Sequence, residues 1–525
     1  MLQKYLRPVS LQNRNLKSYH FFINNIIFYI IVSQAIQIVL AKKSYRVDHR
    51  ISILNDAQWE TVPITLKGKS KFDTIYSNVK SIYKKSIINP FNKYITHQVY
   101  ESESKIVENT ENENNNNEEY QPRLKGEEAF QIDFSCNFST DAKTCRKAEN
   151  TIKKATDVLS KVLYIYSGPI LINATFSSFC ELTHPDGSAC NADDPSRRKL
   201  GQAYPYSSYP AKAVDPVDGD TDTYLYPQAL LRQLNIVSDD KPDFQNYDIT
   251  AEFNSDVNWY FEENEDDRID DDQHDFLYVA VHELIHGLGF ISSWKTPLSM
   301  DFHYLTPRAK MGVARNEDVI LGWYQMQIFD KYIQFNKSGL YLKDMGKKIM
   351  QYENSGEMIR QDAWLEGFHK SEAGQVAQEV YDLATAGKNV FSITSEENNL
   401  VTFLQTFENK FLVGTCMGHL DNDEYTNKPD FLLRSYVPKG EDIDDLIQKG
   451  SYSYLSKEEK SRKDQWQKTA FGPHLISVME TIGWPTKYHP ERRKVEIVNG
   501  SLSRYVRNPW NLLIIFFATI CVILF

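Results

Sequence analysis

The sequence predicts an α+β domain: a mixed, twisted sheet supports one histidine-bearing helix, a long insertion follows that helix, and the C-terminal part is helical. Three stretches carry this reading. Between Asp141 and Tyr164, apolar residues recur at helical spacing, at Ala148, Ile152, Ala155, Leu159 and Val162. The run from Pro169 to Phe176 is rich in β-branched residues and reads as a strand. Phe276, Leu277, Val279, Ala280 and Val281 read as a buried helix with Asp275 as its N-cap.

In chain order, residues 1–20 carry Lys4, Arg7, Arg14 and Lys17 and no acid, and an apolar run follows from Phe21 to Leu40. Asn24, Asn25, Gln34 and Gln37 make that run a poor membrane span, and Ala41 ends it, so residues 1–41 read as a signal peptide. Residues 42–126 read as an N-terminal extension or pro-segment. They include the acidic, asparagine-rich stretch 101–119, which has too little apolar surface to fold and serves as a linker. The ordered domain is expected over 127–490. Within it, residues 181–246 are rich in Gly, Pro, Tyr and Asp and read as a long loop region. Tyr247 to Phe261 alternates and reads as a strand or hairpin, a candidate sheet edge for an added peptide or simply core. Asp266 to Asp275 reads as a solvated acidic loop.

The tail has its own signature. Leu512 to Phe525 is apolar but short for a transmembrane helix, which needs about 20 residues. Asn499-Gly500-Ser501 and a mostly polar spacer precede it, the layout of a glycosylphosphatidylinositol signal. Residues 491–501 then form a stalk and 502–525 a removed signal, which anchors the chain by a lipid to the outer cell surface. Six cysteines agree with secretion. Cys521 lies in the tail, pairs 136–145 and 180–190 are the simplest disulfides, and Cys416 is left over. Asn137, Asn173 and Asn336 stand in glycosylation triplets. A net charge of −11 and the lack of a basic stripe argue against nucleic acid as a partner.

The chemistry concentrates in His282-Glu283-Leu284-Ile285-His286. Residues four apart share a helix face, so both imidazoles can reach one ion, and Zn2+ suits neutral imidazole. Glu283 lies beside that ion as general base. With 12 histidines in 525 residues, chance supplies only about 0.02 such motifs. A third ligand is needed. Ser292 occupies the position six residues after His286, so the compact three-histidine pattern fails. Glu317 or Glu366 would serve in a glutamate pattern, and His303 and His369 are further candidates. His419 is preferred: Gly418 before it lets the chain pass close to the metal, and Asp421 can orient a ligand from behind.

His282-Glu-Leu-Ile-His-Gly-Leu-Gly-Phe290, followed by Gly418-His-Leu-Asp421, Pro429-Asp-Phe-Leu-Leu433 and a helix ending at Ile482-Gly483-Trp484, resembles the inserted zincins. These are secreted metallopeptidases laid out like leishmanolysin, and the likeness spans roughly 170–485. Residues 329–345 are also similar to the insertion of bacterial relatives. The resemblance implies a zincin-like fold with His282, His286 and His419 as zinc ligands, a chain turn at Gly289, and an insertion from Gly287 to Gly418 that leaves the site and returns as a flap or subdomain. Leu433 stands where the family has a methionine. Tyr436, after that turn, is a candidate oxyanion partner or an ordinary buried tyrosine. The expected activity is zinc-dependent endopeptidase action on protein or peptide substrates. The competing expectation is a catalytically inactive surface adhesion or binding protein on the same fold.

Overall fold

The computed structural model describes residues 124–498, except 126–127, 137–139, 181–198, 215, 217, 239–241, 265–266, 296–302, 315–316, 353–358, 396–398 and 452–468. All lie in the unit Glu60–Phe525. The expected signal peptide, nearly all of the N-terminal extension, Asn137, Cys190 and the lipid-attachment region fall outside the described residues.

The chain opens with β1 (Phe130–Cys136), α1 (Ala142–Ser160) and β2 (Ile170–Ser177). Asp141 caps α1 by accepting from the amides of Lys143 and Thr144, each at 2.9 Å. Its apolar face, Ala148, Ile152, Ala155 and Leu159, is fully buried. Next come β3 (Gly201–Pro205), β4 (Ser208–Ala213), β5 (Tyr224–Pro227), α2 (Gln228–Gln233), β6 (Asn235–Ile236) and β7 (Ile249–Asn254). The described part of 181–246 is therefore not the long loop expected from its composition. Gly and Pro flank strands too short for their alternation to register.

The main sheet runs β1-β2-β7-β3. β1, β2 and β7 are parallel, and β3 runs antiparallel to β7. Of the two readings of this strand, edge or core, core holds: β7 is paired on both sides, and β3 ends the sheet. The short strands β8 (Trp259–Tyr260) and β9 (His274–Asp275) lead into α3 (Phe276–Gly287), the histidine helix. α3 packs against α1, β3 and β7. Phe276 starts it within an aromatic cluster, its ring centroid 5.0–5.6 Å from those of Phe176, Phe253, Trp259 and Phe261. Burying Val281, Leu284 and Ile285 completely contributes about 1.5–3 kcal/mol each, which offsets the cost of taking polar side chains inside.

The insertion carries β10 (Ala309–Ala314), β11 (Glu317–Trp323), α4 (Ile328–Lys331), β12 (Ile333–Phe335), α5 (Leu342–Met350), β13 (Ile359–Arg360), α6 (Gln361–His369), α7 (Glu372–Ala384), β14 (Phe391–Thr394) and β15 (Val401–Phe403). It forms two three-stranded sheets, β10-β11-β13 and β12-β14-β15. Trp323, Trp364, Phe368 and Tyr352 give it an aromatic core of its own. The C-terminal part adds α8 (Asn422–Tyr425), a 3-10 turn at Phe431–Leu433, α9 (Ile443–Lys449), α10 (Pro473–Ile482) and β16 (Lys494–Ile497). β16 lies between β4 and β6 in the sheet β5-β4-β16-β6. Residues 491–497 thus belong to the folded body and not to a stalk. At the other end the body includes Leu124, which bridges to Ile165, rather than starting at 127. No helix among the described residues is long and apolar enough to cross a membrane.

Cys136 and Cys145 form a disulfide, Cys180 is also disulfide-bonded, and Cys416 is a buried free thiol.

Candidate metal centre

Asp275 accepts from the Leu277 amide at 2.8 Å and caps α3, as its sequence position predicts. Its second oxygen accepts from the Ile443 amide at 2.8 Å, so one carboxylate ties the starts of α3 and α9 together. At the other end of the helix, a Cβ on Gly287 would stand 2.4 Å from Cγ2 of Ile249, so glycine lets α3 lie directly on β7. Gly289 then turns the chain at φ 117°, where a Cβ would also meet Pro227 at 2.8 Å.

Within this frame His282 and His286 sit one turn apart, and His419 arrives from the far end of the insertion. The Nε2 atoms of the three rings lie 3.1–3.2 Å from one another. Each Nδ1 meets a backbone carbonyl: His282 that of Leu432 at 2.7 Å, His286 that of Phe290 at 2.8 Å, and His419 that of Thr415 at 3.2 Å. A carbonyl only accepts, so each Nδ1 carries the proton and each Nε2 of a neutral ring presents a lone pair. Three lone pairs then point at one another with no hydrogen between them, a repulsive arrangement that a cation relieves.

The rings are held neutral. Burial pushes His282 down to about 3, with His286 and the Leu432 carbonyl as lesser influences. Burial likewise brings His286 down to about 4 and His419 well below the ordinary range, the latter helped by its two histidine neighbours. The donor set passes a simple fit test. Tetrahedral zinc with nitrogen at about 2.0–2.1 Å requires N···N separations of roughly 3.3–3.4 Å, close to the spacing observed. These residues alone form a cluster with metal-ligand spacing among the described residues.

Glu283 projects from the same helix and is half-buried. Burial raises its pKa, while the positive charge of Lys199 and the Ala203 amide N–H pull it back. Lys199 feels the converse: desolvation lowers it and the charges of Glu283 and Glu252 raise it. Both partners come from the segment that composition marks as loop, and no sequence signal singles them out.

The remaining candidates lie elsewhere. Glu366 pairs with Lys370 on the surface of α6, and Glu317 begins β11. His303 stacks on Tyr381 at 5.0 Å, and His369 contacts Tyr304. Ser292 donates to the buried Asp330 at 2.7 Å. Asp421 does not orient His419. Its carboxylate accepts from the Glu424 amide at 2.9 Å and caps α8, and the Thr415 carbonyl takes the orienting role. Gly418 is not the special turn residue either, since a Cβ there would meet nothing nearer than 3.5 Å. The left-handed residues of this loop are Gly414 (φ 77°) and Met417 (φ 61°). Tyr436 is 60% exposed, so the reading of an ordinary buried tyrosine does not hold. Leu433 is fully buried in the 3-10 turn whose Leu432 carbonyl holds His282.

Asp430 lies in the Pro429–Leu433 stretch quoted above, but its place in the sequence assigned it no role. This fully buried carboxylate accepts from the Leu475 amide at 2.9 Å and from Nδ1 of His474 at 3.0 Å, and so fastens the 3-10 turn to the start of α10. The Tyr278 hydroxyl donates to the Phe431 carbonyl at 2.8 Å and ties the same turn to α3. Trp484 donates to the Leu288 carbonyl at 3.0 Å and joins the end of α10 to the turn after the histidine helix.

Fold and site together define an α+β protein with a partly buried three-histidine cluster carried by one helix and one distant loop. Residues 96–509 match the family model described as SPBPB7E8-like, and the chain belongs to that family. It is also similar to a Schizosaccharomyces pombe protein named "Uncharacterized protein PB7E8.01", with 28% identity over 169 residues. The match covers 31% of this chain and 27% of that relative, so the chain spans about a quarter of the relative's length. No solved structure matches.

Proposed function

We propose that the chain is a zinc-dependent endopeptidase of zincin type, acting on extended protein or peptide substrates at the outer cell surface. The observation that carries the reading is the convergence of three Nε2 lone pairs, each fixed by a carbonyl behind it, beside a glutamate on the same helix. Zinc bound by His282, His286 and His419 supplies Lewis acidity, which polarises a carbonyl and brings the pKa of a water to about 7. Glu283 takes the proton from the attacking water and delivers it to the leaving amine. Its raised pKa suits a group that must both accept and release a proton near neutrality.

Strand β3 supports the substrate class. Asn254 donates to the Leu200 carbonyl and Tyr206 to the Asp248 carbonyl, so the even-numbered residues of this segment bond to β7. The amide and carbonyl of Gly201 and the carbonyl of Ala203 therefore face the free edge, where an extended peptide adds as a further strand, and the Ala203 amide on that side is already taken. The same Ala203 amide bonds Glu283, which puts that edge next to the base.

The test uses the full chain. Wild-type protein should hold about one zinc and cleave casein in a chelator-sensitive way. Glu283→Gln should keep the metal and lose about 10²- to 10⁴-fold in rate. Cleavage by Glu283→Gln at the wild-type rate would overturn the mechanism. Metal binding without cleavage of any substrate would favour the adhesion reading instead.

A further inference from the structure

We propose that Asn336 carries an N-linked oligosaccharide, which covers the exposed apolar surface formed by Leu340 and Tyr341. The inference is independent of the metal site. It starts from the turn that follows β12, Asn336-Lys337-Ser338-Gly339-Leu340-Tyr341, in which every residue is exposed. The turn is closed by the Phe335 amide donating to the Leu340 carbonyl at 2.8 Å and by Gly339 in the left-handed region at φ 68°. The backbone of Asn336 is fixed, its amide donating to the Val390 carbonyl at 2.9 Å. Its side chain points into solvent from a rigid support, which is the geometry an acceptor asparagine needs.

The other described triplet contrasts with this one. Asn173 lies in the middle of β2, paired with Asp133 of β1 on one side and Thr250 of β7 on the other, and it is half-buried. A glycan there would have to rise from between two neighbouring strands.

Two observations point to a modification at Asn336 rather than to a bare turn. Leu340 is 59% exposed and Tyr341 38% exposed, an adjacent pair of large apolar side chains four and five residues from the asparagine. Lys343 Nζ stands 4.9 Å from the Tyr341 ring and leaves Leu340 uncovered. A sugar attached at Asn336 has the reach and the C–H faces to shield this pair from water. The cysteines agree with such a compartment: a disulfide between Cys136 and Cys145 and a second one at Cys180 suit an oxidising lumen, where the transfer takes place. In that transfer the Asn336 amide nitrogen displaces the diphosphate of a polyprenyl-diphosphate oligosaccharide. The nitrogen–C1 bond forms, the C1–oxygen bond breaks, and the amide proton leaves with the released lipid diphosphate.

The test is site-resolved peptide mass spectrometry of the full chain expressed through a eukaryotic secretory pathway. The Asn336 peptide should be largely glycosylated and the Asn173 peptide unmodified. Asn336→Gln and Ser338→Ala should each lose the same single-glycan mobility shift, and Asn173→Gln should keep it. Enzymatic removal of the glycan should raise binding of an apolar dye in the wild type and not in a Leu340→Ser/Tyr341→Ser variant. An unmodified Asn336 peptide, whether Asn173 is occupied or the chain carries no glycan at all, would overturn the proposal. Dye binding that is unchanged by deglycosylation would overturn the shielding role.

Discussion

Helix α3 and the loop 411–420 bring the same chemical group to the same point by opposite means. In α3 the spacing of His282 and His286 is local, since one helical turn sets it and an aspartate caps it. The loop has no such regularity. Met417 sits at φ 61°, a conformation that costs a non-glycine residue about 1–2 kcal/mol. The loop is imposed from outside: the Met417 amide donates to the Gln405 carbonyl, the Gln405 amide donates to the His419 carbonyl, and the Leu420 amide donates to the Leu433 carbonyl. Two members of the cluster are therefore properties of a sequence motif, and the third is a property of the assembled fold.

The sharpest way to break that contrast is to remove the third ligand. His419→Ala should lower zinc affinity more than 100-fold by competition with a chelator, because supporting partners alone are worth about 10- to 100-fold. The exposed His303→Ala is the control and should bind as wild type. An unchanged affinity in His419→Ala would return the third position to another residue. The next largest effect should come from the support beneath His282. Asp430→Ala removes the acceptor for His474 and Leu475 and should cost about 3 kcal/mol in urea unfolding, with zinc affinity falling alongside.

On the helix side, Gly287→Ala should destabilise by about 1–3 kcal/mol through its clash with Ile249. An Ile249→Ala background should recover part of that loss, and additive effects in a double-mutant cycle would show that the two residues do not meet. The helix start carries a pH dependence. Burial raises Asp275 to about 7, against the backbone donors Ile443, Leu277 and Tyr278. A raised acid stabilises the fold fully below its unfolded pKa of about 4, and that contribution is lost as pH rises toward 7. Relative to Asp275→Ser, the wild type should lose up to about 1.4 kcal/mol per pH unit between pH 5 and 7 and nothing further above that. Equal slopes for both proteins would remove Asp275 as the titrating group.

The same contrast explains what the sequence made legible. α1, β2 and α3 announce themselves because their pattern lies within one element, and a capping aspartate marks the start of each helix. β3 to β6 stay hidden because strands of two to six residues between glycines and prolines carry almost no pattern. His419 could be singled out by residue type and order. Its supports could not be: backbone carbonyls of Thr415, Leu432 and Phe290 have no sequence identity to read. Asp421 looked like the orienting carboxylate because it lies near His419 in sequence, but the nearest unsatisfied donors were those of its own short helix.

The distance along the chain between His286 and His419 has a kinetic consequence. The two histidines are 133 residues apart, and the whole insertion must be made before they can meet. At a synthesis rate of about 5–20 residues per second, the third imidazole leaves the ribosome roughly 7–27 s after the second. During that interval the nascent chain carries only two of the three histidines of the cluster. The three-histidine cluster therefore closes late in synthesis, only after the whole insertion between His286 and His419 has been made and folded.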